Sequence, residues 1–87
     1  MTFDKGEIRI IGIEVVSNSR CNNFFVIDTA EFYVTKDDKV VDRGQCPIDG
    51  HKLVMLFNAE EKGRYKVVFT YTIAAEKLID SVSVEVV

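Results

Sequence analysis

The sequence lacks several features that would assign it to a familiar class. It has no tryptophan, one proline, five glycines, two cysteines and one histidine among 87 residues. With so little glycine and proline, and with 47% apolar and 29% charged residues, neither a collagen-like nor a disordered chain is expected. The net charge of −3 argues against a phosphate-binding surface, so we predict no nucleic-acid partner. No apolar run approaches the roughly 18 residues of a membrane span, so we predict no membrane partner.

The length allows one domain, which we predict to cover residues 1–87. The N-terminus carries Asp4 and Lys5 and no apolar segment typical of a signal peptide. We therefore expect synthesis in the cytoplasm, with association with a virion as a further option. Cys21 and Cys46 allow one disulfide, but in the cytoplasm we expect both to remain free thiols.

The apolar residues favour strands over helices. Val and Ile together number 21, whereas Ala and Leu number 7, a β-branched excess typical of sheets. Seven segments bounded by turn residues are predicted as strands: 7–16 with a bulge or bend at Gly12, 24–27, 30–36, 40–46, 51–57, 64–73 and 78–87. Turns are predicted at 36–39 and 47–50, and a single helical turn at 58–62. Because no connection is long enough for a parallel crossover, we predict an all-β, antiparallel two-sheet sandwich.

One stretch resembles immunoglobulin-like domains. Residues 61–67 (EKGRYKV) are similar to the acidic-x-Gly-x-Tyr-x-Cys motif that enters strand F of that family. The resemblance implies that Gly63 makes the turn and that Tyr65 is a corner tyrosine, with its hydroxyl bonded to the backbone a few residues upstream. Val67 stands where many members have a core cysteine, and the buried tryptophan of antibody domains has no counterpart. The predicted architecture is therefore an immunoglobulin-like sandwich.

A second resemblance covers residues 30–87. The AEFYVTKDDKVVDRG hairpin, the EKGRYKVVFTYTI strand and the valine-rich end are similar to small immunoglobulin-like modules of phage structural proteins, including baseplate N-terminal domains. This resemblance implies a non-enzymatic protein–protein interaction module, a structural or accessory domain of a phage or bacterial assembly. An alternative is a small phage-encoded inhibitor or adaptor that binds a host protein, with acidic side chains steering association.

Residues that could carry catalysis or bind metal are few. A turn at 47–50 would place Cys46 opposite His51, with Asp49 nearby, and a Cys–His pair can activate a thiolate. Together with Cys21 these residues lack the close ligand pairs typical of zinc sites. Because a catalytic pair also needs a pocket, we predict no enzymatic activity, no catalytic residue, no metal site and no cofactor.

Two of the predicted strands are apolar on both faces. If Met55, Val67 and Phe69 point into the core, alternation turns three other side chains outward: Val54, Leu56 and Val68. The C-terminal strand, which contains Val86, has little to block pairing at its edge. We therefore predict a protein interface formed by Val54, Leu56, Val68 and Val86, with a second copy of the chain as a possible partner. Loops or the long first strand could instead cover these residues.

Overall fold

The computed structural model describes residues 1–15, 26–73 and 75–87. These residues form an all-β fold of two sheets, as predicted, with eight strands where the sequence predicts about seven. In chain order the eight strands of the described residues are β1 (Thr2–Phe3), β2 (Ile8–Glu14), β3 (Ile27–Lys36), β4 (Lys39–Gln45), β5 (Ile48–Asp49), β6 (Lys52–Asn58), β7 (Gly63–Ile73) and β8 (Glu76–Val86). Residues 16–25, which include Cys21, the end of the predicted first strand and the start of the predicted second strand, lie outside the described residues.

The larger sheet has five strands in the order β1-β8-β7-β3-β4. Its centre is the long β7–β8 hairpin, which pairs from Gly63 opposite Val86 to Ile73 opposite Glu76. The β3–β4 hairpin closes with Lys36 opposite Lys39, so the predicted turn at 36–39 is confirmed. Its two central residues, Asp37 and Asp38, have φ angles of 53° and 63°. Positive φ at both positions is the geometry that fits the right-handed twist of the flanking strands.

The smaller sheet has three strands in the order β2-β6-β5. The β2–β6 register runs without a shift from Ile8 opposite Asn58 to Glu14 opposite Lys52, so of the predicted bulge or bend at Gly12 the bulge is absent. Residues 48–49 pair with β6 as the short strand β5, where the sequence predicts a turn.

Strand β1 contradicts the prediction of purely antiparallel pairing. It runs parallel to β8, with Thr2 opposite Glu85 and Phe3 opposite Val86. The amide of Val87 donates to the carbonyl of Phe3 at 2.9 Å, and the amide of Lys5 donates to the carbonyl of Val87 at 2.9 Å. The absence of a long crossover does not exclude this pairing, because the two strands lie at opposite ends of the chain.

The core lies between the two sheets. The larger sheet contributes Val34, Val67, Phe69 and Val84, and the smaller sheet contributes Ile11, Leu53, Met55 and Phe57. Ala59 is also buried, and its amide donates to the carbonyl of Glu7 at 2.9 Å. Residues 59–62 therefore form an irregular connection and not the predicted helical turn.

Candidate protein interface

The outer face of the three-stranded sheet is apolar and exposed. Side chains alternate between the two faces of a strand. Because Ile11 and Met55 point into the core, the alternate positions of β2 and β6 face outward. Ile8, Ile10 and Leu56 remain 57%, 71% and 62% exposed, and Ile10 lies directly opposite Leu56. Ile8, Ile10, Leu56 and the half-buried Val54 are termed the β2–β6 face below.

A shallow depression adjoins the β2–β6 face. It has a volume of 220 Å³ and is lined by Gly12, Ile13, Glu14, Lys52 and Val54. A β-carbon at Gly12 would lie 3.2 Å from both the Leu53 carbonyl oxygen and the Val54 Cγ1. A side chain at this position would therefore crowd β6, and glycine avoids that contact.

The start of β2 is fixed by Glu7. One of its carboxylate oxygens accepts from the Asp4 amide at 2.7 Å, and the other accepts from the Arg9 guanidinium at 2.9 Å. Both hydrogen bonds lower the pKa of the Glu7 carboxyl, and the one from the Asp4 amide has the larger effect. Arg9 also lies over the Phe3 ring, with its Cζ 5.1 Å from the ring centroid. These contacts hold the beginning of β2 against the N-terminal residues.

The structure separates the four predicted interface residues. Leu56 and Val54 belong to the β2–β6 face, whereas Val68 lies on β7 in the other sheet and is only 5% exposed. Alternation does turn Val68 away from the core, but β7 is a central strand and Val68 sits between Tyr33 and Ser81 in the register. Its predicted exposure is therefore wrong.

The prediction for Val86 is also wrong. Its side chain belongs to the core and is 2% exposed. The edge of its strand is occupied by β1, so Val86 does not lie on an open edge. The two residues that extend the β2–β6 face, Ile8 and Ile10, were not included in the predicted interface. The alternation along the first strand was the signal that could have identified them.

A second group of exposed apolar residues lies on the outer face of the larger sheet. Tyr33, Val40 and Ile79 are exposed there, and a depression of 410 Å³ adjoins Tyr33 and Val40. Charged side chains interrupt this group, since Arg43 lies directly opposite Tyr33. The β2–β6 face is the more continuous apolar surface.

A groove of 430 Å³ opens between the sheets beside Lys36, Phe57 and Tyr65. The Lys36 ammonium donates to Glu61 at 3.3 Å and to the carbonyl of Lys62 at 3.1 Å, and it lies 5.3 Å from the centroid of the Tyr65 ring. The pKa of Lys36 is raised, mainly because of the hydrogen bond to Glu61. These contacts join the β3–β4 turn to the connection before β7, which is a structural role.

The predicted Cys46–His51 pair does not form across a hairpin. Because Asp49 pairs with Lys52, the turn consists of Gly50 and His51. Cys46 lies beside Val54 instead, and its thiol donates to the Val54 carbonyl at 2.9 Å. Burial raises the pKa of this thiol, which opposes formation of the nucleophilic thiolate. In the part of the chain that the structure describes, no three His, Cys, Asp or Glu side chains are placed to hold a metal ion.

Comparison of the chain with protein-family models, curated proteins and solved structures finds no match. Across residues 1–15, 26–73 and 75–87, no helix has the length and apolar character needed to cross a membrane.

Proposed function

We propose that the chain is an immunoglobulin-like domain that acts as a non-enzymatic protein–protein interaction module. The strand order supports the architecture. In immunoglobulin domains, strands B, E and D form one sheet and strands C, F and G form the other, with C′ added beside C in variable-type domains. The order β2-β6-β5 corresponds to B-E-D, and β8-β7-β3-β4 corresponds to G-F-C-C′.

The contacts of Tyr65 give independent support for this architecture. Its hydroxyl donates to the carbonyl of Glu61, four residues upstream, at 2.8 Å. Its ring packs edge-on against Phe57, with the centroids 5.4 Å apart. Val67, two residues further along β7, is fully buried. This arrangement resembles the tyrosine corner at the start of strand F.

The single observation that carries the proposed function is the exposed β2–β6 face. Fully burying an Ile or Leu side chain contributes roughly 1.5–3 kcal/mol, so a partner that covers Ile8, Ile10 and Leu56 gains substantial binding energy. Contiguous exposed apolar patches mark interaction sites on soluble proteins. The inert environment of Cys46 supports a role in binding over thiol catalysis.

The proposed setting is a phage or bacterial assembly in which the chain is a structural or accessory domain. An alternative is a phage-encoded inhibitor or adaptor that binds a host protein. One observation favours the alternative: the exposed carboxylates of Asp37, Asp38, Glu60 and Glu61 lie at the end of the molecule where Lys36 contacts Glu61. Such a concentration of acidic groups can accelerate association with a basic partner.

Capture of partners from cells of the source organism tests the proposal. The tagged chain, its Leu56→Asp variant and its Ile79→Asp variant are compared, after circular dichroism has established that all three are folded. Ile79 is the matched control because it is 66% exposed on the other sheet. We expect one defined partner to be retained by the parent chain and by Ile79→Asp and lost with Leu56→Asp. Retention by Leu56→Asp would contradict a role for the β2–β6 face.

A further inference from the structure

Strand β2 has an open edge. It pairs with β6 on one side, and within the described ranges no strand pairs with its other side. On the β6 side, the carbonyl of Glu7 accepts from Ala59 and the amide of Val15 donates to His51. Because antiparallel hydrogen bonds alternate along a strand, the even-numbered residues of β2 direct their amides and carbonyls to the open edge. These residues are Ile8, Ile10, Gly12 and Glu14.

The other sheet edges carry features that hinder pairing with another chain. Strand β4 bears Lys39, Asp42 and Arg43, and its register with β3 shifts at a bulge. Strands β1 and β5 have two residues each. Strand β8 is covered by β1 at its C-terminal end and carries Glu76, Lys77 and Asp80 along the rest of its length. Charges, bulges and short strands are the devices by which proteins protect sheet edges. Strand β2 has an unshifted register, no proline and two exposed isoleucines at its open edge.

The chain exposes more surface than is expected of a compact monomer of its mass. The chain exposes 6223 Å². A compact monomer of 9.9 kDa is expected to expose about 5,200 Å², so the excess is about 1,000 Å². A standard protein–protein interface buries roughly 800 Å² on each partner. The exposed side chains of Ile8, Ile10 and Leu56 can contribute to an interface of this size.

We propose that a second copy of the chain pairs with β2, antiparallel and edge to edge, so that the two small sheets become one six-stranded sheet. This inference rests on the proposed function, because it assigns a partner to a surface that includes Ile8 and Ile10. The register places Ile10 opposite Ile10 of the second copy and Ile8 opposite Gly12. All three positions direct their backbone groups to the open edge, so they can form about six intermolecular hydrogen bonds.

The depression at Gly12 selects this register. Ile8 of one copy lies opposite the residue without a side chain in the other copy, where the depression of 220 Å³ gives it space. A shift of the second copy by two residues in one direction would place Ile8 opposite the carboxylate of Glu14. A shift in the other direction would place Ile8 opposite Ile10 and Gly12 opposite Gly6, which leaves the depression without a side chain to fill it. The proposed register pairs apolar groups with each other and leaves Glu14 at the end of the paired segment.

Backbone substitution separates edge pairing from other forms of association. Proline at position 10 removes the amide that faces the open edge but leaves the hydrogen bonds between β2 and β6 intact. Gln45→Pro is the matched control. Cys46 donates its amide to Ala30 across the β3–β4 pair, so the amide of Gln45 faces the open edge of β4.

Light scattering after size exclusion, over about 1 to 100 µM, measures the association. The parent chain and Gln45→Pro are expected at twice 9.9 kDa. Ile10→Pro is expected to raise the dissociation constant at least about tenfold while retaining the far-ultraviolet spectrum of the parent. If Ile10→Pro fails to fold, Ile10→Lys takes its place, because the side chain is exposed in the monomer. A parent chain that stays monomeric, or a dimer unaffected by these variants, overturns the inference.

Cysteine substitution tests the register. Opposing hydrogen-bonded residues have Cα atoms about 5.5 Å apart, which a disulfide can bridge. Ile10→Cys is therefore expected to give a disulfide-linked dimer on oxidation. Ile79→Cys keeps the same native cysteines and is expected to give none, so the difference is due to the introduced cysteine. A dimer that links through Ile79→Cys and not through Ile10→Cys overturns the register. The partner capture with Leu56→Asp decides the proposed function separately, because a monomeric chain can still bind another protein through the β2–β6 face.

Discussion

The Lys36 side chain occupies the space that a β-carbon on Gly63 would need. A β-carbon built at Gly63 lies 2.9 Å from Cε of Lys36, and the φ angle of Gly63 is +145°. The ammonium group of Lys36 is held there by Glu61 and by the Lys62 carbonyl. The backbone conformation therefore favours glycine at this position, and a β-carbon would also displace the end of the Lys36 side chain.

Replacement of Gly63 by alanine is expected to destabilise the fold by roughly 1–3 kcal/mol, mainly through backbone strain and to a smaller extent through displacement of the Lys36 side chain. Urea denaturation measures the change in the free energy of unfolding. Gly50→Ala is the matched control, since Gly50 also has a positive φ, of 61°, but a β-carbon there has no heavy atom within 4 Å. We expect the smaller loss at Gly50.

The steric part of the Gly63 effect should depend on Lys36. In a Lys36→Ala background, the loss in the free energy of unfolding caused by Gly63→Ala is expected to be smaller by at least about 0.5 kcal/mol, because the Lys36 side chain is absent. A double-mutant cycle built from the same denaturation curves gives this coupling. Strictly additive effects would show that the contact between the two residues does not contribute.

Removal of the Tyr65 hydroxyl is expected to cost about 0.5–1.5 kcal/mol, the usual net value of one hydrogen bond. Tyr65→Phe keeps the ring against Phe57 but cannot donate to the Glu61 carbonyl. Denaturation at constant m-value measures the loss. Tyr33→Phe, at an exposed tyrosine, serves as the control and should leave the midpoint unchanged. Equal losses from Tyr65→Phe and Tyr33→Phe would show that the hydrogen bond from Tyr65 to the Glu61 carbonyl does not stabilise the fold.

Local patterns predicted much of the fold. The predicted strand at 30–36 and the predicted turn at 36–39 agree with β3 and its hairpin with β4, and Ala30, Phe32 and Val34 alternate along the inward face of β3. Strand β1 could not be predicted in the same way. It has two residues, too few for a periodic pattern, and its partner β8 lies at the other end of the chain. Its position depends on tertiary contacts.

Alternation predicted the directions of side chains but not their accessibility. Leu56 is exposed because β6 lies in a small sheet whose outer face is open. Val68 has an equivalent outward direction, yet it is buried because β7 lies at the centre of the larger sheet. The pairing of Cys46 with His51 failed because the turn has two residues instead of four, which shifts every later pair in the hairpin.

Cys46 should react with alkylating agents only when the protein unfolds. The thiol is buried and donates to the Val54 carbonyl, and burial raises its pKa, so little thiolate is available. In a Cys21→Ser background, iodoacetamide at neutral pH is expected to leave the native chain unlabelled and to label the urea-unfolded chain. Mass spectrometry counts the adducts. Rapid labelling of the native chain would contradict the buried position of the thiol.

Tyr71 links β7 to β8 through its side chain. Its hydroxyl donates to the Asp80 carboxylate at 2.7 Å, although Asp80 lies opposite Phe69 in the register. Burial, followed by the hydrogen bond and the negative charge of Asp80, raises the pKa of Tyr71 to about 12. In the unfolded chain this pKa returns to about 10.

The raised pKa of Tyr71 predicts how stability depends on alkaline pH. Below pH 10 the tyrosine is neutral in both states, and its stabilising contribution is fully present. Between pH 10 and about 12 the unfolded chain releases this proton before the folded chain does, so the free energy of unfolding falls as the pH rises. Denaturation curves at successive pH values, with and without Tyr71→Phe, isolate the decrease that belongs to this residue.

Ultraviolet titration tests the cause of the shift. The ionisation that disappears in Tyr71→Phe is assigned to Tyr71, and its midpoint is expected at about 12 in the parent chain. Asp80→Asn removes the negative charge that disfavours the tyrosinate, so the midpoint should fall but stay above its ordinary value, because burial persists. Circular dichroism at each pH establishes that the chain is still folded. An unchanged midpoint in folded Asp80→Asn would show that burial alone raises the pKa and that the contact with Asp80 has no electrostatic effect.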